Sequence, residues 1–488
     1  MTEIQTQVAR ATKWSSITEL ISKLVSPITN MILARILVPE AFGAVATINM
    51  VISFAELFTD AGFQKYIIQH EFKDKEELDK STNVAFWTNF GLSIFIWLVI
   101  TLFRNPIAKL AGNDGLGMGI AVASLAIVIY SFSSIQMARL RREFEFKTLF
   151  FVRMAASFIP LIVTVPLALW LRNYWSLIIG NLCAQIAQAF ILFKYSVWKS
   201  KMQYSIKHLK DMFSYTMWTM LESVSIWLTS YIGTFIVGNA LDAYYLGLYK
   251  TTINTVNAYM AIITAATTPV LFSALSRLQD NEEEYRETFF KFQRIVAMFV
   301  LPMGVGIYIY RDLVTRILLG EQWMEAAGFI GLWGLTSGIT VIFSHYNSEV
   351  FRSKGKPRIS LVVQLLHLVA LVPTLLWAVD KGFYTLYMAR ALVRFQLVLV
   401  SGIVLWIVFK IKLWEVLKNV LPEIVATTVM LCFAINLKNI YKGIVWEIVS
   451  IILCIVVYFC IIMLIPKTRK EIWPIVNKVV GRFGGKGN

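Results

Sequence analysis

Charge is scarce in this sequence. Of its 488 residues, 16% are Asp, Glu, Lys or Arg, where a soluble domain carries about a quarter. Cysteine is scarcer still. Cys183, Cys432, Cys454 and Cys460 stand singly in apolar segments, which excludes a disulfide framework and the paired spacing of a metal site. Long polar stretches are missing as well. No link between apolar runs exceeds roughly 20 residues, too short for a folded soluble domain. That excludes a fused nucleotide-driven motor, and it argues against a membrane polymerase or ligase with a large loop over its active site. There is no Gly-x-x-x-x-Gly-Lys-Ser/Thr phosphate loop, no Asp-x-Asp pair at a helix end and no Ser-His-Asp set. No enzymatic chemistry is expected. The opening MTEIQTQVARATKW is polar and is no cleavable signal, so the first apolar helix is expected to remain in place.

What is present is apolar. Hydrophobic residues make up 57%, mean hydropathy is +0.64, and runs of about 20 residues, enough to cross a bilayer, recur to the C-terminus. We expect an all-α polytopic membrane protein with about fourteen transmembrane helices. An even number puts both termini on one side. About 33 of the 46 Lys and Arg fall on that side and about 8 opposite, so both termini are expected in the cytoplasm. The same rule accounts for the net charge of +16 without a nucleic-acid partner.

The halves repeat. LVPEAFGAVATINMVISFAELFTD, from Leu37 to Asp60, closes one apolar helix and opens another. On that second helix Asn49, Ser53, Glu56 and Asp60 share a face. LDAYYLGLYKTTINTVNAYMAIIT places Gly247 where Gly43 stood, followed by Lys250, Asn254, Asn257 and Thr264. Counted from each glycine, Ser53 matches Asn257 and Asp60 matches Thr264. The acidic loop HEFKDKEELDK (70–80) is echoed by RLQDNEEEYRE (277–287), and RNPIAKLAG (104–112) by RDLVTRILLG (311–320). These correspondences predict two pseudo-symmetric six-helix lobes, 1–200 and 201–410, related by an axis along the membrane normal. Spans 13 and 14 (411–466) lie outside the duplication, and 467–488 reads as a basic amphipathic cytoplasmic tail.

Charge within a span costs about 3 kcal/mol or more unless it finds a partner or water. Glu19 and Lys23 are four apart, in the order that favours an intrahelical pair, and Pro27 comes next with an expected kink. Glu56 and Asp60 are placed on the polar face, and Glu222 on a stripe with Trp218, Ser225 and Thr229. Lys250 stands near the outer turn. Arg390 and Arg394 share a face with Tyr387 and call either for an anionic ligand or for acids on neighbouring helices. His345, Glu349 and Arg352 read as interface residues at the cytoplasmic end of span 10, and His367 as a core histidine.

LARILVPEAFGAVATI, followed by FTDAGFQKYIIQ, resembles the start of Wzx-type bacterial polysaccharide exporters. LDAYYLGLYKTTINTVNAY and RILLGEQWMEAA are similar to further signatures of that family, which belongs to the multidrug/oligosaccharidyl-lipid/polysaccharide exporter superfamily. The resemblance runs from about residue 10 to about 410. It implies two lobes in a V around a hydrophilic, often cationic cavity. It also implies alternating-access flipping of an undecaprenyl-diphosphate-linked oligosaccharide to the outer leaflet of the bacterial inner membrane, for O-antigen, capsule or exopolysaccharide assembly. Lys23 and Arg35 are the span 1 residues it marks for the cavity. With Lys250, Arg390 and Arg394 they form the expected anion-binding set. Asn49, Ser53, Asn254 and Asn257 are the expected neutral polar lining. Glu19, Glu56, Asp60 and Glu222 are the expected ion-coupling acids. No cofactor is expected beyond a proton or Na⁺ gradient or the membrane potential. Expected partners are the lipid-linked oligosaccharide, membrane lipid, and polymerases or glycosyltransferases of the pathway. A multidrug cation antiporter of the same superfamily is the alternative, and a membrane glycosyltransferase a weaker one.

Overall fold

Inside hydrocarbon every backbone N–H and C=O must be satisfied within the protein, which leaves helices or a closed barrel. This chain uses helices. The computed structural model describes the backbone of residues 3–60, 62–196, 198–466 and 468–469, with the side chains of 3–13, 16, 20, 60, 213–222 and 357 excepted. Among the described residues every element is helical. Among the described residues thirteen stretches are long and apolar enough to cross a membrane. The expected seventh span, 212–238, falls on a 35-residue helix, Ile206–Ala240, whose side chains at 213–222 lie outside the described residues. The expected tail also lies outside them, except Thr468 and Arg469.

By packing the chain divides into two units, Met1–Thr251 with Leu375–Asp380, and Thr252–Thr374 with Lys381–Asn488. The first holds α1 (Glu3–Ile36), α2 (Pro39–Asp60), α3 (Phe63–Gln69), α4 (Lys75–Leu102), α5 (Arg104–Leu110), α6 (Gly117–Ala123), α7 (Leu125–Arg142), α8 (Phe146–Ile159), α9 (Val165–Leu171), α10 (Trp175–Tyr195) and α11 (Ile206–Ala240). α1 continues through Pro27 as one helix. α2 is two-faced. Ala44, Ile48, Ile52 and Ala55 recur at helical spacing and bury against Ile100, Ile120, Ile127 and Ile178, which leaves the polar stripe on the opposite side. The start of α2 meets the start of α12 (Ala243–Arg277) backbone to backbone. A Cβ on Gly43 would collide with the Ala243 carbonyl, and one on Gly247 with the Pro39 carbonyl. The two glycines that mark the repeat are therefore required by one mutual contact.

The second unit holds the remainder of α12, then α13 (Glu282–Ile309), α14 (Arg311–Leu318), α15 (Ala327–Thr340), α16 (Tyr346–Ser353), α17 (Pro357–Val379) as far as Thr374, α18 (Phe383–Leu392), α19 (Arg394–Phe409), α20 (Leu413–Asn419), α21 (Leu421–Ile440) and α22 (Ile444–Leu464). Met298, Val305 and Tyr310 of α13 and its end pack with Ala426 and Met430 of α21 and Cys454 and Tyr458 of α22. Spans 13 and 14 are thus fastened to span 9. The order of elements repeats that of the first unit. Asp74 caps α4 by accepting from Glu77 N at 2.7 Å, and Asn281 caps α13 by accepting from Glu284 N at 3.2 Å. Both helices have 28 residues. Each is followed by a short helix opening on an arginine, Arg104 or Arg311, and then by a turn of 3₁₀ helix.

Candidate functional site

The site begins with the close approach of α13 and α15. A Cβ on Gly304 would sit 2.8 Å from the Gly334 carbonyl, and one on Gly338 would sit 3.0 Å from the Val300 carbonyl. Small residues on one face of α15 thus bring it against α13. The next face round carries Trp333, Thr336 and Ser337, all buried, and it meets α19.

Arg394 is received there. It is 7% exposed, and its Nη1 donates to Ser337 Oγ at 2.8 Å, to Thr336 Oγ1 at 3.2 Å and, more weakly, to the Trp333 carbonyl at 3.5 Å. Its guanidinium carbon lies 4.0 Å from the centre of the Trp333 ring, and that of Arg390 lies 5.0 Å from the same ring. One indole therefore sits under two cations at cation–π distance. Its Nε1 donates to Asn257 Oδ1 on α12 at 3.2 Å, and its edge meets Phe329, which stacks on Tyr387. Among the described residues no carboxylate lies within ion-pair distance of Arg394. The acids of neighbouring helices offered as one expectation for this residue are thus replaced by hydroxyls and an indole. These share its protons without cancelling its charge.

Two histidines lie near. His367 is buried and its Nδ1 is 3.0 Å from Gln396 Oε1, a core histidine as read from the sequence. His345 is exposed and within electrostatic reach of Arg394. Glu349 and Arg352 pair with each other at 3.0 Å. Asn254, on the stripe with Asn257, is exposed.

In the first unit the polar stripe of α2 is accessible. Asn49 is exposed, and Ser53 and Glu56 are half-buried. Ser53 Oγ accepts from Trp227 Nε1 at 2.9 Å, so Ser53 and Asn257, at matched offsets from their glycines, each accept a tryptophan N–H. Glu19 does not pair with Lys23. It meets Arg153 of α8 at 2.5 Å, because α1 and α8 pack side by side and Arg153 reaches the carboxylate across that contact. Lys23, half-buried, makes no ion pair among the described residues. Arg35 is exposed in the last turn of α1. Lys250 lies 4.7 Å from the centre of the Tyr231 ring. The side chains of Asp60 and Glu222 lie outside the described residues. A cavity of about 720 Å³ between α2, α4, α5 and α11 is walled by Phe54, Phe95, Trp227 and Ile232 among other apolar side chains, so it offers nothing to an anion. No cluster of three His, Cys, Asp or Glu suited to a metal occurs among the described residues.

Trp333, Thr336, Ser337, Arg153 and Trp227 were missed by sequence reasoning. Trp333, Thr336 and Ser337 did carry a signal. They are polar-capable residues at i, i+3 and i+4 in an otherwise apolar helix, the spacing of one face.

A family model described as "Polysaccharide biosynthesis protein" matches residues 32–328. The chain belongs to that family. Arg390 and Arg394 lie beyond the matched stretch. Among curated relatives, an uncharacterized membrane protein in the cps region of Klebsiella pneumoniae is 24% identical over 378 residues, 76% of each chain. The lipopolysaccharide biosynthesis protein WzxC of Escherichia coli K12 is 24% identical over 64% of this chain and 63% of its own. The teichuronic acid biosynthesis protein TuaB of Bacillus subtilis 168 is 18% identical over 90% of this chain and 91% of its own. Among solved structures, the lipid II flippase MurJ in an inward closed conformation aligns with a TM-score of 0.75 at 15% identity, covering 92% of this chain and 98% of that one. An inward-facing multidrug resistance transporter of the MATE family aligns at 0.58 and 14% identity, covering 83% and 98%. The family member described here is thus a polytopic membrane protein with relatives among polysaccharide biosynthesis proteins and with the fold of the solved flippase and multidrug transporter.

Proposed function

We propose that this protein is a flippase that carries an undecaprenyl-diphosphate-linked oligosaccharide from the cytoplasmic to the outer leaflet of the bacterial inner membrane, for surface polysaccharide assembly. The reading rests above all on Arg394, a buried guanidinium at membrane depth whose neighbours hold it without neutralising it. Keeping such a charge is costly in hydrocarbon. A second guanidinium, that of Arg390, lies over the same indole, and an anionic head group would answer both cations. The names of the relatives, which concern lipopolysaccharide, teichuronic acid and lipid II, support the same substrate class.

The work to be done also fits. A diphosphate and its sugars cannot cross about 30 Å of hydrocarbon unaided, so the head group needs a wet path while the polyprenyl tail stays in lipid. With both termini cytoplasmic, basic loops such as RLRREFEFK (139–147) gather anions at the entry side. Moving about two negative charges outward gains roughly 4.6 kcal/mol per 100 mV, inside negative. The repeated order of elements supports two duplicated lobes, 1–200 and 201–410, working by alternating access. Glu19 is engaged by Arg153; of the other expected coupling acids, Glu56, Asp60 and Glu222, the two on matching second and seventh spans, Glu56 and Glu222, are proposed to couple a proton or Na⁺ to the return step.

The test uses the purified protein in vesicles that hold a fluorescent undecaprenyl-diphosphate oligosaccharide, with export of an organic cation measured in parallel. Outward movement of the lipid by wild type and its loss in Arg394→Met support the flippase. Movement of the organic cation alone would establish the antiporter instead.

A further inference from the structure

The span from Glu321 to Ser353 is the most enclosed of the candidate spans, with 78% of its apolar window buried. In its middle the helix changes pitch. Residues Val341–His345 form a stretch of π-helix, closed by Tyr346 N–H donating to the Val341 carbonyl. Such a bulge adds one residue to the turn and rotates the rest of the helix by roughly 100°. It is braced from three sides. Asn347 Nδ2 donates to the Phe343 carbonyl at 2.6 Å and to Ser401 Oγ of α19 at 3.2 Å, and Gln293 Nε2 of α13 reaches the Ile342 carbonyl at 3.4 Å. Gln293, Asn347 and Ser401 are fully buried. Buried amides are dear unless they are hydrogen-bonded, and here three polar side chains are committed to holding one local distortion.

The distortion's outcome is one exposed imidazole. Val341, Ile342, Phe343, Ser344, Tyr346 and Asn347 are buried, and His345 among them is exposed. An imidazole turned to hydrocarbon would forgo its hydrogen bonds, so the open side of His345 calls for a polar occupant. Its ring makes no hydrogen bond among the described residues. It lies within electrostatic reach of Arg394 and about 12 Å along the helix from Ser337, which holds that arginine. With both termini in the cytoplasm, His345 is the nearer of the two to the cytoplasmic side.

We propose that His345 is a second station for a phosphate oxyanion, an entry-side donor that binds the anion on its way to Arg394, with the braced π-turn as the device that presents it. The inference rests on the flippase reading and deepens it. A ring N–H donates to a phosphate oxygen, and nothing is transferred covalently.

The test measures binding to the purified full-length protein of two probes, inorganic pyrophosphate and an undecaprenyl-diphosphate oligosaccharide in vesicles. The variants are His345→Leu, His345→Gln, His345→Arg and Arg394→Met, each first shown by melting and size-exclusion to be folded. The expected result is about tenfold weaker binding of both probes in His345→Leu, near wild-type binding in His345→Arg, and a half-saturating lipid concentration that rises while maximal flipping is retained. Should His345→Leu not fold, His345→Ala, which also removes the donor, takes its place with the same expected loss, and His345→Gln and His345→Arg, which keep a donor, serve as the comparison. Binding of the lipid but not of pyrophosphate assigns the station to the lipid-linked head group, and equal loss with both assigns it to phosphate of either source. If wild type and Arg394→Met both fail to bind either probe, the flippase reading itself is overturned. If Arg394→Met loses binding while every His345 variant matches wild type, only the second station is.

Discussion

Arg394→Met separates a functional charge from a structural one. In the native protein the guanidinium has two good hydrogen bonds, to Ser337 at 2.8 Å and Thr336 at 3.2 Å, and an indole at 4.0 Å. Interhelical hydrogen bonds in membranes are worth about 0.6 kcal/mol each, and the cation–π contact is worth about 0.5–2 kcal/mol. Methionine forfeits all of these. It also removes a charge whose placement at a helix centre costs about 2.5–3.5 kcal/mol, and it fills much of the same volume over Trp333. Thr336 Oγ1 already donates to the Leu332 carbonyl at 3.0 Å, and the Ser337 hydroxyl, which loses the guanidinium it accepts from, can turn to the carbonyl one helical turn back. Loss and gain nearly cancel, so stability should change by no more than about 1.5 kcal/mol, a few degrees of melting temperature at most. Transport should not be spared. A charge-assisted contact to an anion is worth about 1.5–3 kcal/mol, so flipping should fall by about tenfold to 150-fold. Arg394→Lys should fall between, since one ammonium cannot both fork to two hydroxyls and stack on the ring. The assays are thermal melting in detergent and lipid flipping in vesicles on the same preparations. A variant that melts far below wild type would refute the reasoning, as would one that flips lipid at the normal rate.

Three other sets of residues carry expected outcomes of their own. Gly43→Ala and Gly247→Ala should each cost about 1–3 kcal/mol by overpacking; the double variant should cost less than the sum, since one separation of α2 from α12 relieves both, and additive melting shifts would contradict the shared contact. Alanine at Lys23, Arg390 and Arg394 together should abolish polysaccharide export in cells at normal expression, with Arg-to-Lys exchanges milder, and full export would make these residues structural. Glu56→Gln and Glu222→Gln should remove the dependence of flipping on a proton or Na⁺ gradient in vesicles; unchanged ion dependence in both would leave the membrane potential as the driver.

The sequence by itself determined the class of molecule. Scarce charge and recurrent apolar runs admit only a polytopic helical membrane protein, because hydropathy and helix length are local properties that need no partner to be read. The local correspondences between the two stretches of chain were legible for the same reason. Gly43 and Gly247, Asp74 and Asn281, and Arg104 and Arg311 occupy local positions in a turn, a cap and a helix start, and local geometry is written in local sequence. The arginines of span 12 could also be singled out, since charge in a span is anomalous wherever it points. What the sequence could not supply was the answer each charge receives. Glu19 finds Arg153 across 134 residues of chain instead of Lys23 one turn away, and Ser53 finds Trp227 across 174. Arg394 finds Ser337 and Thr336 instead of an acid. The π-turn that exposes His345 depends on Gln293 and Ser401 from two other helices. These pairings depend on which helix faces which, and that is settled only when glycines such as Gly304 and Gly338 let two backbones close. Partner choice between helices is a tertiary decision, made by packing at a distance along the chain that no periodicity reports.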